Sequence, residues 1–260
     1  MNYTIKYIVL CEKGKKRQTN QDNFWCNGYF LANDNNGLST PLTDISCNTT
    51  TPIFAIFDGM GGAKCGEMAA YLAAKSFDSL YTAGDITDPL QFLISSCKNM
   101  NSEICSYATE NQAMGMGTTA AILAFGKKKI HVCNIGDSKV FLRDAKTLTQ
   151  ISQDHIVLVP GARKPPLSQH LGIQPNEFVI EPYFATGIYG DGDRYLLCSD
   201  GLTDMVSLDE IDTALSAKNS VTDTANFLME TALYNGGSDN ITIILCELQK
   251  SKFFRRKVSK

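Results

Sequence analysis

Basic residues are not in excess: 24 Lys and Arg stand against 27 Asp and Glu in 260 residues, a formal net charge of -3 with a pI near 5.6. That balance argues against a general nucleic-acid binder, which carries a basic face or a pI well above neutral. No run of about eighteen uncharged apolar residues occurs, so no membrane span is expected. The first residues, Met1 to Arg17, hold a short apolar patch without a preceding basic region or a small-residue cleavage site, so no secretion signal is expected. The nine cysteines are odd in number and form no C-x-x-C pair; Cys133, Cys198 and Cys246 sit inside apolar runs, where a reduced thiol acts as a small hydrophobe. A reducing, cytoplasmic setting is expected. Proline is scarce, at 8 residues, while 43% of the chain is hydrophobic, which describes one globular domain with a large core and disorder only at its ends.

Short apolar, β-branched or aromatic runs recur at Tyr3 to Leu10, Asn23 to Leu31, Ile53 to Phe57, Thr118 to Phe125, Lys129 to Ile135, Val140 to Arg143, Tyr195 to Cys198 and Ile241 to Leu248. They read as strands, and the turn-sized, Gly-containing gaps from Ala120 to Asp144 suggest antiparallel hairpins. Helical spacing appears from Gly66 to Tyr81, from Asp88 to Glu110 and from Ser207 to Asn235, with Ser207 and Glu210 spaced as a capping box. Helices bunched between groups of strands imply an α+β fold in layers. No repeat or linker divides the chain, so a single domain over 1–249 and a basic tail over 250–260 are expected. The polar segment Ala32 to Thr51 and the tail, with Phe253 and Phe254, read as surface; the tail is a solvated end or a weak contact for anionic lipid or a partner. Nothing suggests an obligate interface, and a monomer is expected.

The acids fall in a pattern. Asp58, Asp137 and Asp200 each end an apolar strand beside a glycine, and Asp22 and Asp239 stand just before strands. Each alone is compatible with ordinary turn chemistry. Five carboxylates at strand ends repel one another unless something positive lies between them, and hard divalent cations suit an oxygen-only set without a His or Cys cluster, favouring Mg²⁺ or Mn²⁺ over Zn²⁺. Gly59 lets a backbone carbonyl approach the same ion, Gly61 and Gly62 clear space for a phosphate-sized group, and Arg17 offers a bidentate fork for phosphate oxygens.

Read in order, "RQTNQDNF", "FAIFDGMGGAKCGEMAA", "MGTTAAILAF", "VCNIGDSKVFLRD", "LTQISQDH", "DRYLLCSDGLTDMVS" and "GGSDNITIILCEL" resemble the metal-dependent serine/threonine protein phosphatases of type 2C, the PPM family, in its bacterial branch. The resemblance spans nearly the whole chain. It implies an αββα sandwich of two antiparallel sheets with helices outside. It also implies that Asp58 bridges two Mn²⁺ or Mg²⁺ ions, Gly59 gives a carbonyl, Asp200 and Asp239 bind the first ion, Asp22 supports the second through water, and Arg17 holds the substrate phosphate. Asp137 with Asp200 would hold a third, weaker ion. Water shared by two such ions would attack phosphoserine or phosphothreonine directly, without a phosphoenzyme. Phosphoproteins are the implied substrates and a serine/threonine kinase the implied counterpart.

Three departures stand out. Met60 replaces the His that eukaryotic members often carry and cannot donate a proton, so leaving-group protonation is unassigned; Gln21 replaces a common Glu. Between His155, read as structural, and Gly172 the segment that forms a flap in bacterial members is short and interrupted by Pro160, Pro165 and Pro166. The alternative functions are a pseudophosphatase that binds phosphoproteins without turnover, and an interaction module with acidic turns that is indifferent to metal.

Overall fold

The computed structural model describes residues 3–47, 51–60, 65–161 and 164–250. Two six-stranded antiparallel sheets face each other. The first joins β3 (Leu42–Cys47), β1 (Tyr3–Glu12), β12 (Ile241–Lys250), β11 (Arg194–Cys198), β8 (Lys139–Arg143) and β9 (Leu148–Gln150) in that order. The second runs β10 (Tyr183–Ile188), β7 (Lys129–Ile135), β6 (Ala120–Phe125), β4 (Ile53–Met60) and β2 (Asp22–Cys26), with the short β5 (Gly117–Thr118) paired to the end of β4. Between the sheets lie Ile5, Val9, Phe24, Phe54, Ile56, Leu123, Tyr195 and Ile244.

Helices cover both outer faces. α1 (Gly66–Thr82) and α2 (Pro89–Glu110) pack on the second sheet through Ala69, Ala70, Ala73, Phe77, Leu93 and Met100; α3 (Asp200–Thr203), α4 (Leu208–Ser216) and α5 (Val221–Tyr234) cover the first through Leu202, Ile211, Ala225 and Leu228. Burial on two faces explains why β6, "AAILAF", is apolar throughout and does not alternate. The α+β reading and the αββα sandwich both hold. Asp88 caps α2 by accepting from the Leu90 and Gln91 N–H groups ahead of Pro89, and Ser207 with Glu210 completes the expected capping box of α4.

Local expectations fail where a turn or an edge intervenes. The run Asn23 to Leu31 ends as a strand at Cys26, because Asn27 and Gly28, with φ 48° and 90°, make a two-residue hairpin turn. The expected helix from Ser207 to Asn235 is two helices, the second capped by Ser220. Leu42–Cys47, read as surface loop, is an edge strand on β1, and the half-exposed Tyr183–Ile188 edge strand lacks the continuous apolar run that marks the central strands. Only β6 and β7 form a hairpin within Ala120 to Asp144; at Gly136 the chain crosses from the second sheet to the first. Of the expected tail, Lys250 closes β12 opposite Tyr3, while 251–260, including Phe253 and Phe254, lie outside the described residues, as do Gly61 and Gly62. Among the described residues no helix is long and apolar enough to cross a membrane.

Candidate active site

The crossing at Gly136 puts Asp137 where the ends of both sheets meet, and the other acids arrive there from separate elements. Asp22 opens β2 and pairs directly with Asp58 on β4, so two carboxylates occupy opposite positions of an antiparallel ladder, where like charges destabilise. Asp200 opens α3 immediately after β11, and Asp239 precedes β12. Arg17, Gln21, Asp58, Gly59, Met60, Thr119, Asp137, Lys164, Asp200 and Asp239 line one cleft of about 390 Å³. A larger, mostly apolar groove of 550 Å³ beside α2 and residues 174–180 contains none of these acids. All five predicted aspartates and Arg17 thus converge; Asp22 stands behind the cleft wall, 1% exposed.

Tight backbone packing fixes this corner. A Cβ on Gly59 would lie 2.1 Å from the Gly66 carbonyl oxygen and 2.5 Å from that of Gln21, which accepts the Gly59 N–H at 3.0 Å. Gly14, at φ 77°, lets the loop bearing Arg17 pass the Asp239 carbonyl, where a Cβ would stand 2.1 Å away. Lys15 N–H bonds the Gly237 carbonyl at 2.8 Å, tying the same two loops.

Hydroxyls hold the acids. Ser199 Oγ, just after β11 at the N-cap of α3, and Thr242 Oγ1 on β12 donate to Asp22 Oδ2 of the second sheet at 2.8 and 2.7 Å. Thr119 Oγ1 accepts the Asp58 N–H at 3.1 Å and shares a 2.7 Å bond with Ser138 Oγ. Sequence reasoning missed Ser199, Thr242 and Thr119; their positions beside Asp200, at the start of β12 and opposite Asp58 were the available signal. The His155 backbone N–H bonds the Gly136 carbonyl at 2.9 Å and braces the crossing before Asp137. Gln21 donates its amide to Glu67 Oε2 at 3.1 Å.

Crowding and burial disturb the titration of this set. Desolvation first, then the charges of Asp200 and Asp239, push Asp22 up to about 7 despite its two hydroxyl donors. Desolvation and neighbouring carboxylates, Asp22 foremost, raise Asp58 well above the carboxylate range, and desolvation with Asp200 raises Asp137 to about 6. Asp239 is desolvated too, yet ends below its ordinary value because Arg17, the Asn240 N–H and Lys164 stabilise its charge. Arg17 Nη2 donates to Asp239 Oδ2 at 2.7 Å; Lys164 pairs with Asp200 Oδ2 and lies 3.4 Å from Asp239 Oδ2.

A metal fits this donor set. Asp22 Oδ1 and Asp200 Oδ1 are buried without a hydrogen-bond partner, all available ligands are oxygens, and the crowded carboxylates need positive charge between them. Among the described residues no three side chains of His, Cys, Asp or Glu are drawn together as a closed metal cage, and Arg17 and Lys164 pair with the outer oxygens of Asp239 and Asp200. An oxygen-lined cleft with a guanidinium at its rim has the chemistry that a divalent cation and a phosphate group require.

Comparison with known proteins identifies the family. The protein phosphatase 2C profile matches residues 9–158. The serine/threonine phosphatase stp of Listeria welshimeri is 31% identical over 262 residues, covering 91% of this chain and 93% of its own length. The catalytic domain of the serine/threonine protein phosphatase PstP, solved in complex with two manganese ions, is 29% identical with a TM-score of 0.76, over 95% of this chain and 99% of that one. Stp1 from Staphylococcus aureus superposes with a TM-score of 0.77 at 25% identity, over 93% and 94%. The chain belongs to the protein phosphatase 2C family and is a phosphoprotein phosphatase.

Proposed function

We propose that the chain hydrolyses phosphoserine and phosphothreonine monoesters of proteins, with two divalent cations held by Asp58, the Gly59 carbonyl, Asp200 and Asp239, and with Asp22 supporting the second through water. The convergence of four carboxylates on one cleft, with Asp22 behind its wall and the buried Asp22 Oδ1 and Asp200 Oδ1 unpartnered, carries this reading. Manganese is favoured by the two ions described for PstP, and magnesium satisfies the same oxygen chemistry. When bound, such ions supply a water acidic enough to attack near neutral pH and neutralise phosphoryl oxygens.

The chain's own residues do the rest. Ser199 and Thr242 orient Asp22 and favour its charged form. Asp58, anchored through its backbone to Thr119, would supply a carboxylate to the ions. Arg17, its side chain 47% exposed at the rim, turns from Asp239 to the substrate phosphate, where a planar fork grips two oxygens. Met60 lines the cleft and moves no proton. A third, weaker ion at Asp137 and Asp200 belongs to the same expectation. A cytoplasmic signalling role opposite a serine/threonine kinase completes the proposal, supported by buried thiols such as Cys11, Cys198 and Cys246.

Titration of Mn²⁺ into chelator-treated protein with p-nitrophenyl phosphate as substrate tests this function. Turnover should be absent without metal and rise to saturation with it; hydrolysis indifferent to Mn²⁺, or no hydrolysis at any concentration, refutes it.

A further inference from the structure

Arg17 does not stand alone at the rim of the cleft. It ends a run of three exposed cations, Lys15, Lys16 and Arg17, in the connection between β1 and β2. One buried side chain clamps that connection. Asn240 Nδ2 donates to the Lys13 carbonyl at 2.8 Å and to the Thr19 carbonyl at 3.0 Å, and Asn240 Oδ1 accepts the Gln21 N–H at 2.8 Å. Together with the bond from the Lys15 N–H to the Gly237 carbonyl, these contacts fix both ends of the basic run against the loop that bears Asp239.

The chain itself does not answer the charge of the two lysines. Arg17 pairs with Asp239, Lys139 with Asp154 and Lys164 with Asp200, whereas among the described residues no carboxylate pairs with Lys15 or Lys16. Met60, Pro165, Pro166 and Leu167, which also line the cleft, carry no charge to offset them. Two residues of chain span at most about 7 Å, so Lys15 and Lys16 stand beside Arg17 much as the residues flanking a phosphoserine stand beside their phosphate. Both lie inside the distance of about 8–10 Å over which exposed charges act in salt water.

We propose that Lys15 and Lys16 form a docking rim for acidic residues next to the phosphoresidue, so that this phosphatase favours phosphoprotein segments rich in Asp and Glu. The proposal rests on the reading above in which Arg17 grips the substrate phosphate. Each ammonium meets a substrate carboxylate at the surface, where one such pair contributes little and is screened by salt; two of them, acting beside the held phosphate, raise kcat/KM mainly by speeding capture of the substrate. They touch neither the metal ligands nor the reacting atoms, so a small phosphate ester does not feel them.

The full chain with Mn²⁺, as wild type, K15A/K16A and K15E/K16E, is assayed on two phosphothreonine peptides that differ only in carrying glutamate or glutamine on each side of the phosphoresidue. The wild type should show a kcat/KM about fivefold higher for the glutamate peptide at low salt, and the preference should fade in about 0.5 M salt. K15A/K16A should treat the two peptides alike and K15E/K16E should prefer the glutamine peptide, while all three proteins hydrolyse p-nitrophenyl phosphate equally. Equal rates of the wild type on both peptides overturn the proposal, as does a preference that survives in K15A/K16A or a loss of p-nitrophenyl phosphate hydrolysis in the variants. A wild type that hydrolyses none of the three substrates is a different result, which overturns the phosphatase reading and this inference with it.

Discussion

Thr242→Val removes one hydroxyl and nearly nothing else, which makes it a sharp probe of how the acidic corner is held. Thr242 Oγ1 gives Asp22 Oδ2 a 2.7 Å bond, Ser199 Oγ gives a second at 2.8 Å, and Asp22 is 1% exposed, so water cannot replace the lost donor. A hydrogen bond to a buried charged group contributes about 1.5–3 kcal/mol. In a chain of this size each kcal/mol shifts the melting temperature by about 2–4 °C, so metal-free T242V should melt roughly 3–12 °C below wild type at pH 8.5. The deficit must depend on pH. Asp22 titrates at about 7, and losing a donor to its charged form raises that value further. Above both values the full charged-bond cost is felt; as pH falls below about 7 both proteins protonate Asp22, and only the smaller loss of a neutral hydrogen bond, about 0.5–1.5 kcal/mol, is left at pH 5. Circular-dichroism melts in chelator at pH 5 and 8.5 measure this. Equal deficits at both pH values, or none, would refute the idea that the hydroxyls hold an ionised carboxylate.

Asp58→Asn should abolish turnover at saturating Mn²⁺ while the metal-free protein melts at or above the wild-type temperature, since an amide cannot hold two cations together and no longer repels Asp22 across the ladder; near-normal turnover contradicts the assignment. Arg17→Ala should lower turnover by about 100-fold or more, the loss typical of a donor to developing phosphoryl charge, yet leave Mn²⁺ affinity unchanged or tighter because Arg17 shares Asp239 with the ion; a collapse of metal affinity in calorimetry would make Arg17 a structural partner only. The metal-free wild type should lose stability as pH rises. Asp22 at about 7, Asp137 at about 6 and Asp58, also raised, stand above the unfolded carboxylate value of about 3.9, so their contribution is complete below that value and is lost as pH rises through their raised values, with Asp239, which is lowered, acting in the opposite sense. Mn²⁺ affinity should rise over the same interval as the ions displace these protons, and an affinity flat from pH 5.5 to 7.5 would contradict the shifts.

Much of this molecule was written locally. Apolar runs bounded by Gly and Asp mark β4, β7 and β11, and the caps Asp88 and Ser207 mark two helix starts, because strand length, periodicity and capping depend on neighbours a few residues away. The acids at strand ends were visible for the same reason, and their convergence was legible because five carboxylates in such places demand a common cation. Tertiary structure alone decided which oxygens are held and which are free. Ser199 and Thr242 reach Asp22 across 177 and 220 residues and from the opposite sheet, so no local pattern encodes them. The chain's passage between sheets at Gly136, which carries Asp137 into the corner, resembles a hairpin turn in sequence and differs only in which strand accepts β8. Lys164 is one lysine in a loop until the fold sets it against Asp200 and Asp239; Coulomb energy depends on the distance in space that the fold sets, and separation along the chain does not enter it.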